Sequence, residues 1–323
     1  MLTEKPGILL LHKPLGIRSS ACVSLVKHLG GGRMKIGHAG TLDSTAQGLL
    51  VLLIGKATRL SRYIMNFPKI YEVTMQFGVS TSTDDASGEI LEKKPLPSPE
   101  NLEVMVDHLI PSFLGTRMQR PPNISAVHVE GKRAHAVARS GEIPKIEEKP
   151  VSLYGFRRIS PADSQGRISF EVLCSKGTYI RSLARDMGSR LGLGGHSASL
   201  CRQALGKWTL EEAVSFESLE EREKFGKEAN LEWLASVCRS PLEAARHYSV
   251  FTCFSEEKAL GLRNGISLPF EELSRESWGI LSFRDSLVVR LSEDLVFGDL
   301  EAASDKKAFF VPRARIALGE TFP

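Results

Sequence analysis

Asp43 closes the stretch Gly37-His38-Ala39-Gly40-Thr41-Leu42-Asp43, in which two glycines stand between two hydrophobic runs. Gly37 and Gly40 admit backbone conformations closed to other residues and let a ligand approach, so the following Asp can be presented at a fixed angle. The same residues also suit a plain polar turn, since Asp and Gly are common turn formers. Two more side chains could complete a reacting centre. Tyr71 belongs to the inward set of an alternating stretch, and Arg181 falls in the first turn of an amphipathic helix. An Arg fork can hold a carboxylate in one orientation and keep it ionised, which makes such an Asp a candidate nucleophile or base. Tyr71 reads either as core packing or as a stacking platform. His38 has no paired base and reads as a loop histidine as readily as a catalytic one, and Lys13-Pro14 looks like a turn.

The elements that must position these groups follow from periodicity. Gly7 to Leu11 is a buried strand that runs into a turn at His12 to Gly16. Ser19 and Ser20 can cap a helix to about Leu29, stopped by Gly30-Gly31-Gly32. Leu49 to Ile54 suits a central strand, and Lys56 to Met65 has helical spacing. Tyr71, Val73, Met75 and Phe77 alternate with Glu72, Thr74 and Gln76, the mark of a strand with one buried face. Thr81 to Gly88 is a polar turn without the ligand spacing of a calcium loop. After a helix over about Glu100 to Leu109, Gln119-Arg120-Pro121-Pro122 opens an extended piece, Ile124 to Val129. Gly131-Lys132-Arg133 then leads into a basic helical stretch ending near Gly141. Val151 to Ile159 and Ile168 to Cys174 are two more strands, joined by a turn at Pro161 to Gly166. Ile180, Leu183, Met187 and Leu191 define one helix face, with Thr178 as its expected N-cap and Arg181 and Arg185 sharing another face. From about His247 the pattern changes to short strands with turns at Asn264-Gly265, Arg284-Asp285 and Gly298-Asp299, as in a small separate β domain.

A chain of 323 residues fits a large domain plus a smaller one. Its net charge of +4 hides a gradient: residues 241–323 carry 10 Lys/Arg against 13 Asp/Glu, leaving 32 against 25 before them. The excess in the first part is a mild signal for a polyanionic partner, and it equally suits a solvated basic surface. No run approaches the roughly 18 apolar residues of a membrane span, and Met1 to Gly7 lacks the regions of a signal peptide, so a cytoplasmic protein is expected. The five cysteines are widely spaced and never form a Cys-x-x-Cys pair, which predicts reduced thiols and no zinc site. There is no nucleophile elbow, no His-Glu-x-x-His, no phosphate-binding loop and no dinucleotide fingerprint; Gly192-x-Gly194-Gly195 follows a helix and reads as its stop. The chemistry expected of Asp43, Tyr71 and Arg181 needs no metal and no cofactor.

Leu11-His12-Lys13-Pro14-Leu15-Gly16, Gly37 to Asp43, Tyr71, Thr81 to Gly88, Pro121-Pro122-Asn123-Ile124-Ser125-Ala126 and Ser175-Lys176-Gly177-Thr178-Tyr179-Ile180-Arg181 stand in one order over roughly residues 7 to 210. In that order and spacing the chain resembles the TruB-type tRNA pseudouridine synthases. The resemblance implies an α+β pseudouridine synthase fold, a mixed and largely antiparallel sheet flanked by helices, with a small C-terminal PUA-like β domain. It implies a catalytic domain over residues 1–245, with an RNA-contacting insertion at about 110–150, and a PUA-like domain over 246–323. The implied reaction isomerises the uridine at position 55 in the T-loop of tRNA, breaking N1–C1′ and joining C5 to C1′. Asp43 matches the essential Asp, which either attacks C1′ or removes the 2′ proton. Arg181 matches its arginine partner. Tyr71 matches the tyrosine that stacks on the target base and is a candidate to assist proton loss from C5. The base must be flipped out of a folded loop, at a cost of a few kcal/mol that RNA contacts offset. His38 matches a histidine associated with that flipped loop, and Lys176 and Tyr179 belong to a motif lining the site. Lys13, Lys132 and Arg133, with Arg139, are implied RNA contacts.

His12 replaces the acidic residue usual before Lys-Pro, and Ser44 replaces the Pro that usually follows the catalytic Asp. The segment Leu260 to Gly265 resembles the start of a PUA domain, although the acidic balance of residues 241–323 argues against strong phosphate contact. The implied partner is tRNA, through its T-loop and T-arm, with no membrane and no obligate protein partner; a basic tail suited to a larger assembly is absent, unlike what a guide-RNA-dependent relative would need. A second reading is a tRNA-folding chaperone whose isomerase activity is incidental or lost, against which intact Asp43, Tyr71 and Arg181 argue.

Overall fold

The computed structural model describes residues 6–124, 128–129, 132–133, 146–248, 250–253, 255–269, 271, 273–277, 286–291, 294–302 and 308–317. It divides into two compact units, one of Met1–Leu42, Leu49–Phe67 and Gly206–Pro323, the other of Asp43–Gly48 and Pro68–Leu205.

In the second unit the alternating stretch is the strand Lys69–Phe77, which buries Lys69, Tyr71, Val73, Met75 and Phe77 on one face. It is central: Arg167–Cys174 pairs along one side and Gly195–Leu205 along the other, both antiparallel. Lys149–Arg158 and then Gly115–Gln119 extend the sheet beyond Arg167–Cys174. The helix Ile180–Arg190 packs on Gly195–Leu205 through the predicted apolar face of Ile180, Leu183 and Met187. Its N-cap is Tyr179 rather than Thr178, whose hydroxyl instead donates 3.0 Å to the Ser175 carbonyl and shapes the approach to the helix. The helix Pro99–Leu109 is capped by the Ser98 hydroxyl, which accepts from Asn101 N.

Gln47 and Gly48 pair in parallel with Cys201 and Arg202. Gly48 has φ of +110°, and a Cβ there would lie 2.4 Å from the Arg202 carbonyl oxygen. Backbone cannot retreat from such a contact. Gly48→Ala is therefore expected to lower unfolding free energy by about 1–3 kcal/mol, read as a reduced denaturant midpoint at unchanged slope.

In the first unit the strand Gly7–Lys13 is almost wholly buried and pairs in parallel with Val214–Ser215. The strand Gln47–Ile54 pairs with Ile36–His38, and all six residues from Leu49 to Ile54 are withdrawn from solvent, as a continuous apolar run requires. The helix Ser19–Leu29 ends at the triple glycine, where the N–H groups of Gly30, Gly31 and Gly32 bond back to Val26, His28 and Lys27. The expected serine cap is absent because the N-cap is Arg18, and Ser19 is used elsewhere. Its hydroxyl donates 2.9 Å to the carbonyl of Leu42 and accepts 3.0 Å from the Leu42 N–H.

Among the described residues six strands follow from Val250, in the order Leu268–Pro269, Ala308–Ala317, Asp294–Ala302, Ser286–Arg290, Val250–Thr252 and Ser274–Ser277, around a core that includes Phe251, Leu262, Val289, Val296 and Phe310. Two expected turns differ. Asn264-Gly265 ends the helix Glu256–Arg263, and Gly298-Asp299 lies inside a strand at a register shift, where a bulge lets the glycine face Phe310 closely. Arg284-Asp285 lies outside the described residues. Lys132–Arg133 is a strand paired with His128–Val129; Ser125, Ala126 and Arg139 lie outside the described residues, as does the basic helical stretch expected up to Gly141. None of the five cysteines is in a disulfide, and no described helix is long and apolar enough to cross a membrane.

Candidate active site

Asp43 opens a tight turn, closed by the N–H of Ala46 on the Asp43 carbonyl at 3.1 Å. Its carboxylate is 45% exposed and forms an ion pair of 2.8 Å with Nη2 of Arg181. Arg181 is buried, because the first turn of its helix faces the Thr81–Gly88 loop. The guanidinium is spread over four partners. Nη1 donates to the Thr83 carbonyl at 3.0 Å and to Asp85 Oδ2 at 3.4 Å, while Nη2 also donates to the Ile124 carbonyl at 3.1 Å. The fork thus holds one reachable carboxylate and one buried one in a single plane.

Asp85 anchors that plane. Its Oδ1 accepts from the Thr83 hydroxyl, the Ser87 hydroxyl and the Ser87 N–H, and its Oδ2 accepts from the Thr45 hydroxyl at 3.1 Å. Burial works against its charge, but the Ser87 and Thr83 hydrogen bonds and Arg181 outweigh it and hold the carboxyl below its ordinary range. Thr45 ties this loop to the Asp43 turn two residues from the reacting group. Asp84, in a left-handed conformation with φ of 59°, pairs at 2.8 Å with Arg185, so the two arginines four apart meet two consecutive carboxylates. Burial pushes the Asp84 carboxyl up, with Arg185 pulling it back. Gln119 fastens the start of the helix from the other side, exchanging hydrogen bonds of 3.0 and 2.9 Å with the Tyr179 backbone.

Tyr71 is 8% exposed and lies opposite Arg202 in one pairing and Val172 in the other. Burial raises its phenol above the ordinary value, against the pull of Arg202; the Asp43 charge is near enough to add to the rise. Two strand positions behind it on the same face, Lys69 is buried opposite Cys174. Burial, reinforced by the Arg202 charge, lowers its ammonium from 10.5 to about 7, and burial pushes the Cys174 thiol up to about 11. The unfolded chain therefore binds the lysine proton more tightly than the folded one, and stability rises with pH through this window. Between pH 7 and 8.5, below the ordinary cysteine and tyrosine range, the denaturant midpoint is expected to rise, and Lys69→Met should flatten that slope.

The structure brings Asp43, Tyr71 and Arg181 together in one unit, with Tyr179 fixed at the helix start and Lys176 exposed nearby, its charge acting on Lys69. Lys13 and His38 lie in the other unit. Lys13 is fully buried, and its ammonium donates to the Pro14 and Ile17 carbonyls at 2.9 and 2.7 Å, holding its own turn from inside. His38 ends the strand Ile36–His38 and its carbonyl accepts from the Ser61 hydroxyl. The side chains of Lys132 and Arg133 lie outside the described residues. Among the described residues no group of three or more His, Cys, Asp or Glu is placed to hold a metal ion.

Sequence reasoning passed over Asp84, Asp85, Arg202 and Lys69. The signal for the first two was present: two consecutive acids among hydroxyl residues can answer two arginines spaced one helical turn apart. Extending the period of two back from Tyr71 puts Lys69 on the buried face.

The chain matches the archaeal box H/ACA sRNP Nop10-Cbf5 complex with a TM-score of 0.68 at 20% identity, covering all of this chain and 89% of that one. It matches an H/ACA RNP bound to a substrate RNA containing 2′-deoxyuridine with a TM-score of 0.66 at 20% identity, covering 98% and 87%. These likenesses give the fold, that of a mixed α+β architecture with a C-terminal β domain of PUA-like kind. A family model described as the TruB family pseudouridylate synthase N-terminal domain matches residues 27–180. A protein of Streptococcus pneumoniae serotype 4 named tRNA pseudouridine synthase B is 36% identical over 290 residues, covering 89% of this chain and 95% of that one. A protein of the same name from Thermobifida fusca is 43% identical over 219 residues, covering 66% and 74%. The chain belongs to the TruB family of pseudouridylate synthases.

Proposed function

We propose that this protein isomerises uridine to pseudouridine at position 55 in the T-loop of tRNA. The observation that carries the reading is the Asp43–Arg181 ion pair of 2.8 Å, in which an exposed carboxylate is oriented by a buried guanidinium beside Tyr71. The reaction breaks N1–C1′, forms C5–C1′, removes the proton from C5 and places one on N1. Asp43 is the group that either attacks C1′ or takes the 2′ proton; both need its oxygen at one fixed angle, which a four-partner arginine supplies. Tyr71 offers an aromatic face to the extruded base, a contact worth roughly 1–3 kcal/mol toward the cost of flipping. His38, Lys13, Lys176, Tyr179, Lys132 and Arg133 are assigned to the RNA-binding surface, with Lys13 acting through the shape of its turn. We assign residues 1–245 to the catalytic domain, about 110–150 to an RNA-contacting insertion, and 246–323 to a PUA-like RNA-binding domain. The protein acts alone on tRNA, and tRNA modification places that work in the cytoplasm.

The test is release of tritium from C5-labelled uridine in a T-loop hairpin by purified protein, without added metal or cofactor. Stoichiometric release at the position equivalent to 55 is expected. No release, with the hairpin bound, would overturn the assignment and favour the chaperone reading.

A further inference from the structure

Arg202 is the largest fully buried side chain among the described residues, with 1% exposure. A guanidinium withdrawn from water loses most of its hydration and is kept only where its donors are used. Its place in the sheet indicates what it serves. Arg202 stands directly opposite Tyr71 in the antiparallel pairing of Gly195–Leu205 with Lys69–Phe77, so the two side chains leave the same face. Its guanidinium is hydrogen-bonded to the Tyr71 phenol, and the oxygen is the acceptor because an arginine has only donors. On its other flank the Arg202 backbone is in register with Gly48, where a Cβ would come within 2.6 Å of the Arg202 nitrogen, so the position has no freedom to shift. Burial is graded from Asp43 at the surface, through Tyr71, to Arg202 at the floor. Arg181 serves Asp43, Asp85 and two carbonyls, which leaves the phenol to the second arginine.

We propose that Arg202 is a positioning residue for the isomerisation, anchoring the far end of the Tyr71 ring. A donor on one side of a phenol oxygen fixes the tilt of the ring and leaves the hydroxyl hydrogen a single in-plane direction. The extruded base then meets one preset aromatic plane with one preset polar edge. The inference rests on the reading of Tyr71 as the residue that stacks on that base.

A double-mutant cycle tests it. Single-turnover pseudouridine formation on a T-loop hairpin is measured for wild type, Arg202→Gln, Tyr71→Phe and the double variant, with hairpin Kd and thermal melting measured on each. Arg202→Gln is expected to lower the rate about tenfold to a hundredfold while leaving Kd nearly unchanged. In the Tyr71→Phe background the same substitution should change the rate less than about twofold, because the oxygen it acts through is gone. Arg202→Lys, which keeps a donor, should recover part of the rate only when Tyr71 is present. Additive losses in the cycle, or a full rate in Arg202→Gln, overturn the proposal. If neither Gln nor Lys at 202 gives a folded protein, Arg202 is a structural ion and the proposal fails. Failure of the underlying reading shows differently, as a folded wild-type protein that binds the hairpin and makes no pseudouridine.

Discussion

Asp43→Asn is expected to bind a T-loop hairpin as the wild type does and to form pseudouridine at less than roughly 10⁻⁴ of the wild-type rate. The amide has nearly the same shape, and its oxygen can still accept from Arg181 Nη2, so the turn closed by Ala46 and the arginine plane both survive. An amide nitrogen can neither attack C1′ nor carry away the 2′ proton, so both routes stop at the same residue. The side chain is 45% exposed, and the exchange should move stability by no more than about 0.5 kcal/mol. Tritium release and a gel-shift titration on one preparation check both halves. Wild-type release from the variant would remove Asp43 from the chemistry. The same inactive protein also isolates any tRNA-refolding activity, which should persist only if folding help is a separate property.

Arg181→Lys should keep the hairpin affinity and lower the single-turnover rate by about 10²–10³, on the order of 3–4 kcal/mol in the barrier. A lysine retains the charge but not the fork. It cannot reach Asp43, Asp85 and the carbonyls of Thr83 and Ile124 at once, as the guanidinium does over 2.8–3.4 Å. Whichever partner the ammonium chooses, Asp43 loses its fixed angle or a buried acceptor loses its donor. The second loss is visible without substrate, as a fall of about 1–3 kcal/mol in unfolding free energy. A variant with more than about a tenth of the wild-type rate would mean that charge alone suffices and that the planar geometry is incidental.

The strands and the Arg181 helix were legible because their patterns are local. Tyr71, Val73, Met75 and Phe77 declare a buried face, and Ile180, Leu183 and Met187 declare a helix stripe. The Asp43–Arg181 partnership spans more than a hundred residues and followed from the family resemblance; spacing alone would have left Asp43 a turn residue. What stayed hidden were groups whose role depends on tertiary neighbours. Asp85 reads as one polar residue in a polar turn until Arg181 is placed against it. Arg202 sits among Leu200, Cys201 and Ala204, and only the strand register reveals that it faces Tyr71. Cap positions shifted for a similar reason: Ser19 looks like a helix cap in isolation, and the structure spends its hydroxyl on Leu42.

That use of Ser19 bears on Ser44, which stands where the family resemblance leads one to expect proline. A proline stiffens a turn by thinning the unfolded ensemble, an entropic effect that persists on heating. Here the segment is fastened in the folded state, by Ser19 on Leu42, by Ala46 on the Asp43 carbonyl, and by Thr45 on Asp85. Hydrogen bonds of this kind open locally, with free energies below that of global unfolding. The amides of Leu42 and Ala46 should accordingly exchange with solvent through sub-global openings, and catalytic competence should decline with temperature ahead of the cooperative melt.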